Sequence, residues 1–337
     1  MKRNFSPEVR LRILVTGGAG YIGSHVAKAL SLAGHEPVVL DNLSMGHRWA
    51  VRWGPLVEAD LANRTALAQI LKGMDAVIHL AAFTYVGESV SDPGKYYRNN
   101  FSNAINLLDA MVANGVKHIV FSSTAAVYGE PSQVPIPETE KKQPINPYGE
   151  SKLYVEHALA AYAEAHGLRW LALRYFNAAG ADNTGQIGEM HKPETHLIPI
   201  AVYTALGIRE QMQVFGTDYP TPDGTAIRDY IHVDDLADGH VRGVEYLQEG
   251  GAPDAMNLGT GHGHSVKAVI EATERLSGRP VRVKESPRRA GDPPELVAAS
   301  AKAKSVLGWQ PKSSDLDAIV ASAVRWHRHA LDAGLQI

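Results

Sequence analysis

Apolar residues fall along this chain in two alternating patterns: short continuous runs, as buried parallel strands require, and stretches with apolar positions three to four apart, as helices on a sheet require. Ile13-Leu14-Val15 predicts the first strand and Val38-Val39-Leu40-Asp41 the second. Residues 56–61, 76–82 and 117–129 predict a third, fourth and fifth strand, and residues 168–175 a further one. Between them, Phe101, Ile105, Leu108 and Val112 predict an amphipathic helix over residues 96–116, ending before Gly115, with a second apolar face open to another subunit. Pro147 opens a helix that runs to about His166. Residues 130–147, rich in proline and polar side chains, predict a loop across the strand ends. The alternation through about residue 176 predicts an α/β fold, a doubly wound parallel sheet with helices on both faces. Beyond it, short elements at residues 228–235 and 255–259, a helix around 236–247 and frequent prolines predict a smaller C-terminal lobe interleaved with the first.

Where the first strand gives way to the first helix the chain reads Thr16-Gly-Gly-Ala-Gly-Tyr-Ile-Gly23, so Gly18-x-Gly20-x-x-Gly23 and the overlapping spacing from Gly17 both fit a dinucleotide cradle. Glycines at such a turn let the backbone approach a pyrophosphate, and the helix N-terminus offers free N–H groups and a positive dipole end. The fold expected is therefore Rossmann-type. Asp41, about 20 residues on, stands where a carboxylate accepts the adenosine ribose hydroxyls and repels a 2′-phosphate, which favours NAD over NADP. Asp60 either reaches the adenine amino group or is a solvated carboxylate at a strand end. His79, alone in a buried strand, reads as a satisfied core histidine without a catalytic role.

Composition narrows the class. The chain has 337 residues, 45% of them hydrophobic, and a formal net charge of −3, which gives no mark of disorder, nucleic-acid binding or membrane attraction. Its lack of cysteine excludes disulfides, thiolate nucleophiles, iron–sulfur clusters and thiolate zinc sites. His262-Gly-His264 and His327-Arg-His329 read as surface histidines, and no metal site is expected. Residues 1–12 carry charge but no signal-peptide core, and no run approaches a membrane span, so a soluble cytoplasmic protein with a short N-terminal extension is expected. The expected division is a nucleotide domain over residues 13–176 with later contributions from about 228–260, and a second lobe from 177–227 and 261–337.

The fifth strand delivers Ser122, Ser123 and Thr124 at its C-terminal end, which in open parallel sheets faces the ligand crevice. Tyr148 and Lys152 are four apart, so on a helix they project from one face into that crevice. A free phenol with a pKa near 10 is a poor base at neutral pH, but a nearby ammonium and a cationic nicotinamide both favour its phenolate. Tyr148 is thus the candidate general acid/base. Thr124 is the candidate hydrogen-bond partner of the oxygen whose proton Tyr148 moves.

These features resemble the extended short-chain dehydrogenase/reductase superfamily, and within it most closely the UDP-glucose 4-epimerase family, over nearly the whole chain from Ile13 to about Trp309. The resemblance rests on Thr16-Gly-Gly-Ala-Gly-Tyr-Ile-Gly-Ser-His25, Asp41-Asn-Leu43, Val86-Gly-Glu-Ser89, Tyr148-Gly-Glu-Ser-Lys152, Arg174-Tyr-Phe-Asn177 and the stretch from Gly216 to Val233. It implies interconversion of UDP-glucose and UDP-galactose: Tyr148 takes the 4-hydroxyl proton as hydride leaves C4 for NAD, the 4-keto sugar turns, and hydride returns to its other face. Lys152 would hold the nicotinamide ribose. By the same resemblance NAD would lie against Gly17, Gly20, Tyr21, Ile22, Gly23, Asp41, Asn42, Asp60, Leu61, Leu80, Ala81, Asn99, Ser122 and Tyr175. The UDP-sugar would meet Asn177, His196, Leu197, Phe215, Arg228, Tyr230, Arg289, Asp292 and Leu296, with Arg228 and Arg289 paired on the pyrophosphate. A homodimer is implied as well.

The chain departs from the family pattern at three points. Thr124 replaces a common serine, Thr84-Tyr85 lacks a lysine usual before Val86-Gly-Glu-Ser89, and Leu296 occupies the position whose bulk sets acceptance of N-acetylated sugars. Related readings are a UDP-glucuronate epimerase, a 4,6-dehydratase or a non-catalytic NAD-binding sensor. Ala125 and Ala126 supply no acid and base for dehydration, and a sensor would be expected to lose Tyr148 or Lys152.

Overall fold

The computed structural model of the protein describes residues 10–289 and 292–335, so residues 1–9 of the expected N-terminal extension lie outside it. The chain runs β1 (Arg12–Thr16), α1 (Tyr21–Leu32), β2 (Glu36–Asp41), β3 (Leu56–Glu58), α2 (Arg64–Ile70), β4 (Ala76–His79), α3 (Val86–Ser91), α4 (Pro93–Tyr96), α5 (Asn103–Ala113) and β5 (His118–Thr124). It continues with α6 (Pro147–His166), β6 (Arg169–Tyr175), β7 (Asn177–Ala179), α7 (Leu197–Leu206), β8 (Met212–Phe215), β9 (Ile227–Arg228) and β10 (Tyr230–His232). Last come α8 (Val233–Gln248), β11 (Asp254–Leu258), β12 (His264–Ser265), α9 (Val266–Ser277), β13 (Val283–Ser286), β14 (Glu295–Leu296), α10 (Ala301–Leu307) and α11 (Leu316–Asp332).

Seven strands form one parallel sheet in the order β11-β6-β5-β4-β1-β2-β3. Alternation of side chains along β1 explains why its centre, Ile13–Val15, is apolar on both faces: Ile13 and Val15 pack with Val26, Leu30 and Val244 from α1 and α8, while Leu14 packs on the other face with Leu107, Phe121 and Leu159. Each such fully buried side chain stabilises the fold by about 1.5–3 kcal/mol. Strand order reverses between β1 and β4, and the crevice at the carboxyl ends on either side of that reversal is where α/β sheets bind ligands.

Local signals set the α6 boundaries. The Asn146 side chain accepts from Gly149 N at 2.9 Å, Pro147 fills the first helical position, and Gly167 closes the helix at φ +69°. Short paired strands build the smaller lobe: β7 with β10, β12-β9-β14, and β8 with β13. Helices α7, α9 and α11 pack there around Val202, Val269, Ile319 and Val320.

Several expectations are corrected or refined by the structure. The third strand ends at Glu58, leaving Asp60 in the turn before α2, and the fourth ends at His79. The helix expected over residues 96–116 begins as a π-helical turn, Tyr97–Ser102, before α5. Residue 177 begins a strand, since Asn177 pairs with Tyr230, and β11 extends the main sheet beyond β6. His327 is buried, not on the surface: it lies three and four positions from Val324 and Ala323 on the apolar face of α11, with its ring 4.8 Å from that of Tyr203.

Candidate active site

The glycine turn after β1 is built by contact as much as by conformation. Gly17 adopts φ +72°, its N–H donates to Leu40 O at 2.8 Å, and a Cβ there would sit 2.7 Å from Ala81 N. Gly23 brings α1 onto the turn so closely that a Cβ would stand 2.1 Å from Gly17 O. Gly20 caps α1 without a side-chain acceptor. The first-turn N–H groups of Tyr21 and Ile22 are therefore available to a phosphate. The side chains of these two residues are committed elsewhere: the Tyr21 hydroxyl donates to Gly180 O at 2.6 Å and Ile22 packs on the core.

Asp41, at the end of β2, joins the turn to the next loop, accepting from Ala19 N at 3.0 Å and Leu43 N at 2.8 Å. Burial raises its pKa while both N–H groups oppose the rise, and each oxygen retains lone-pair capacity for a ribose hydroxyl. Asn42 donates to Asp60 at 2.7 Å, and Asp60 also accepts from Ala62 N at 2.7 Å, so Asp60 is a partnered turn carboxylate. Leu61 is buried below it. Leu80 and Ala81 follow β4, with Leu80 N donating to Thr16 O at 3.0 Å. Asn99 donates to Asn100 Oδ1 at 2.9 Å within the π-helical turn. A cradle that a Cβ would fill, an uncapped helix start and an acid at the second strand end together fit NAD. His79 behaves as expected of a core residue, 2.7 Å from Thr16 Oγ1 and stacked on Phe121.

The hydroxyls at the end of β5 have separate partners. Ser123 donates to Glu156 at 2.6 Å and so belongs to the interior. Ser122 lies 2.7 Å from His240 Nε2; because His240 Nδ1 is 2.8 Å from Leu236 O and must carry the proton, Nε2 accepts from Ser122. Tyr175, paired with Thr124 across the β5–β6 ladder, sets its ring 6.1 Å from that of His240. Thr124 caps the following turn, accepting from Ala126 N at 3.1 Å, and its hydroxyl is near enough to the Tyr148 phenol to affect its titration.

Lys152, 4% exposed, donates to Ser122 O at 2.8 Å and lies 4.9 Å from the Phe121 ring centroid. Burial draws its pKa down to about 7. Burial holds the Tyr148 phenol above its ordinary value, and Thr124 pulls it part of the way back. The expected lowering of Tyr148 by Lys152 is absent in the protein alone: the ammonium is turned onto a backbone carbonyl, and desolvation dominates both groups.

Parallel pairing of β9 with β14 sets Arg228 beside Leu296, and pairing of β8 with β13 brings Phe215 toward the segment carrying Arg289. The Arg289 guanidinium stacks 3.9 Å from the Phe215 centroid. Arg228 is ion-paired with Asp292, so the expected pair of free cations is one stacked arginine and one already matched to a carboxylate. Asn177 N donates to Asp229 O at 3.1 Å, and Tyr230 beside it is buried. Leu296 packs against the cluster of Val127, Tyr128 and Leu153. Thr84 is exposed where the family has lysine, while Lys95 lies nearby, 4.2 Å from the Phe83 ring centroid and 2.7 Å from Glu88.

Leu197 opens α7, and His196 before it shares a cluster with Glu189, His191 and Glu194. The spacing Glu-x-His-x-x-Glu-x-His was the overlooked signal for that cluster. A buried network under the site was missed too: Arg174 donates to Glu156 at 2.9 and 2.5 Å and to Tyr128 at 3.0 Å, and Tyr128 donates to Asn257 at 2.7 Å. Its members come from β6, α6, β11 and the turn after β5, so no local pattern announces it.

Residues 13–259 match the NAD dependent epimerase/dehydratase family. The chain is 52% identical over 324 residues to the UDP-glucose 4-epimerase of Rhizobium meliloti, covering 96% of this chain and 98% of that one. It superposes on the crystal structure of UDP-glucose 4-epimerase from Brucella ovis in complex with NAD with a TM-score of 0.92 at 53% identity, covering 93% of this chain and 97% of that one. The enzyme from Stenotrophomonas maltophila, with bound NAD and formylated UDP-arabinopyranose, gives a TM-score of 0.93 at 40% identity over 96% of this chain and 100% of that one. The matched strand ends, glycine turn and Tyr148–Lys152 helix lie within that shared frame, and the chain belongs to the NAD dependent epimerase/dehydratase family, among the UDP-glucose 4-epimerases.

Proposed function

We propose that this chain interconverts UDP-glucose and UDP-galactose by inverting C4 through a 4-keto sugar, with Tyr148 as the proton carrier. The observation that carries the assignment is the place of Lys152, one helical turn after Tyr148: its ammonium donates to Ser122 O at 2.8 Å, at the strand end that carries Thr124. The chemistry supplied by NAD, when bound along the glycine turn, Asp41 and Lys152, is reversible hydride transfer at C4. Tyr148 takes the proton of the 4-hydroxyl and later returns it, while Thr124 hydrogen-bonds the same oxygen. Lys152 holds the nicotinamide ribose, and Ser122 and Tyr175 line the same strand ends. Arg289 and Arg228, with Asn177, His196, Leu197, Phe215, Tyr230 and Asp292, anchor UDP so that only the sugar turns between the two transfers. Because Arg228 is paired with Asp292, the pyrophosphate shares that guanidinium with a carboxylate instead of meeting a free cation.

The test is conversion of UDP-galactose, and in parallel UDP-N-acetylgalactosamine, by purified protein without added cofactor, followed by chromatography. Conversion of UDP-galactose supports the assignment. Conversion of neither, with NAD then supplied, overturns it. The second substrate reads out Leu296: its conversion places this leucine on the permissive side.

We infer a homodimer through α5 and α6. Tyr97 and Phe101 in the π-helical turn before α5 and Tyr154 on α6 form a ring cluster, with Tyr154 40% exposed. Light scattering at the mass of a single chain refutes it.

A further inference from the structure

The loop from β7 to α7 carries Glu189-Met-His191-Lys-Pro-Glu194-Thr-His196, and its folding turns four donor side chains toward one point. One ligand atom from each of Glu189, His191, Glu194 and His196 lies within 4.8 Å of all the others. We propose that these four residues form a binding site for a first-row divalent cation of the zinc class.

Each imidazole lies at a coordination-shell distance from both carboxylates, Glu194 offering a different oxygen to each ring, and the whole cluster spans no more than 4.8 Å. His196 Nδ1 is 2.9 Å from Glu189 Oε1 and 3.0 Å from Glu194 Oε1, and His191 Nδ1 is 3.3 Å from Glu189 Oε1 and 3.5 Å from Glu194 Oε2. Bonds of about 2.0–2.1 Å to nitrogen and carboxylate oxygen give tetrahedral edges of about 3.3 Å. Two imidazoles and two carboxylates suit zinc better than magnesium or calcium, which take oxygen donors in larger number. The two carboxylates also balance a dication where their own burial is otherwise costly: the Glu189 and Glu194 side chains are only 4% and 5% exposed.

Hydrogen bonding accounts for only part of the cluster. Glu194 Oε1 is satisfied by Thr195 N and His196 N, each at 2.8 Å. Glu194 Oε2 and His191 Nδ1 face each other, both buried and neither in a hydrogen bond. A pairing of imidazolium rings with carboxylates leaves this contact a 3.5 Å ion pair without a hydrogen bond, whereas a shared cation would bind both atoms directly.

The loop is fixed from several sides. Trp326 Nε1 donates to Glu189 O at 3.0 Å, Tyr85 donates to Pro193 O at 2.9 Å, and His47 Nε2 lies 3.0 Å from Met190 O. All four coordination positions come from the protein, so the cation is structural: it ties the loop to the start of α7 and holds His196 by Nδ1. This inference does not rest on the assigned activity.

Untagged protein, treated with a chelator and dialysed, is loaded with zinc or cobalt(II). We expect one zinc per chain retained through gel filtration by elemental analysis, a rise in melting temperature, and the intense visible absorption of tetrahedral cobalt. Glu194→Gln and His191→Gln should each lose retention and spectrum. No retained zinc, or the pale spectrum of octahedral cobalt, in the wild-type protein overturns the proposal, as does undiminished retention by both folded variants. The wild-type measurements decide even if neither variant folds.

Discussion

At the scale of single residues, desolvation governs the proposed chemistry. Tyr148 sits above its ordinary pKa in the protein alone, so it begins as a phenol, and only added positive charge at the nicotinamide shifts it toward the phenolate. Tyr148→Phe should lower turnover about 10²–10⁴-fold with NAD content unchanged, measured by absorbance of the released nucleotide; undiminished turnover would falsify the assignment. Lys152 gives a signed pH effect. Its pKa falls from 10.5 to about 7 on folding, so between these values the unfolded chain binds a proton there that the folded chain does not. Unfolding takes up that proton, and stability in nucleotide-free protein rises with pH across this window by up to about 1.4 kcal/mol per pH unit. Lys152→Met should flatten the rise in chemical denaturation at pH 7, 8 and 9; identical slopes in the two proteins would refute the effect of burial.

At the scale of elements, the first helix depends on one missing methyl group. Gly23→Ala places a Cβ 2.1 Å from Gly17 O, a backbone atom that cannot step aside without opening the turn. The expected result is a loss of about 1–3 kcal/mol in stability together with release of NAD on gel filtration. A variant with wild-type melting temperature and nucleotide content would show that the turn tolerates the shift. Helix α6 is the contrasting case, since Asn146, Pro147 and Gly167 mark its ends in the sequence and its boundaries were legible to within a residue. The helix before β5 was less legible: Asn100, inside the π-helical turn, bonds the Phe83 backbone and Ser151, and partners so distant leave no periodic trace.

At the scale of the whole molecule, charges buried between elements hold the crevice in shape. Arg174 and Glu156 are 3% and 5% exposed, and with Ser123, Tyr128 and Asn257 they lock β5, β6, α6 and β11 together. Arg174→Met strands the Glu156 carboxylate and should cost about 3–5 kcal/mol in denaturant unfolding; a loss below about 1 kcal/mol would show that water relieves the site. Acid should unfold the protein through histidines scattered over the fold. Burial lowers the pKa of His25 and His240 to about 4 and that of His79 to about 3. The unfolded chain binds protons at these rings from about 6.5 downward while the folded chain does not, so stability falls as pH drops from about 6.5 to 4. A melting temperature that stays level across that range would contradict it.

Local order was in the sequence because its causes are local: strand runs, helix caps, the glycine turn and the Tyr148–Lys152 spacing each depend on neighbours within a few residues. Tertiary structure alone decided which polar side chains face the crevice and which are spent inside it. Ser123 looked like Thr124 in sequence, yet Glu156, 33 positions away, claims its hydroxyl. Arg228 looked like a free cation until Asp292 was folded against it, 64 positions on. Partnership and desolvation are set by residues far apart in the chain, and between them they fix whether a charged group is offered to a ligand or already satisfied.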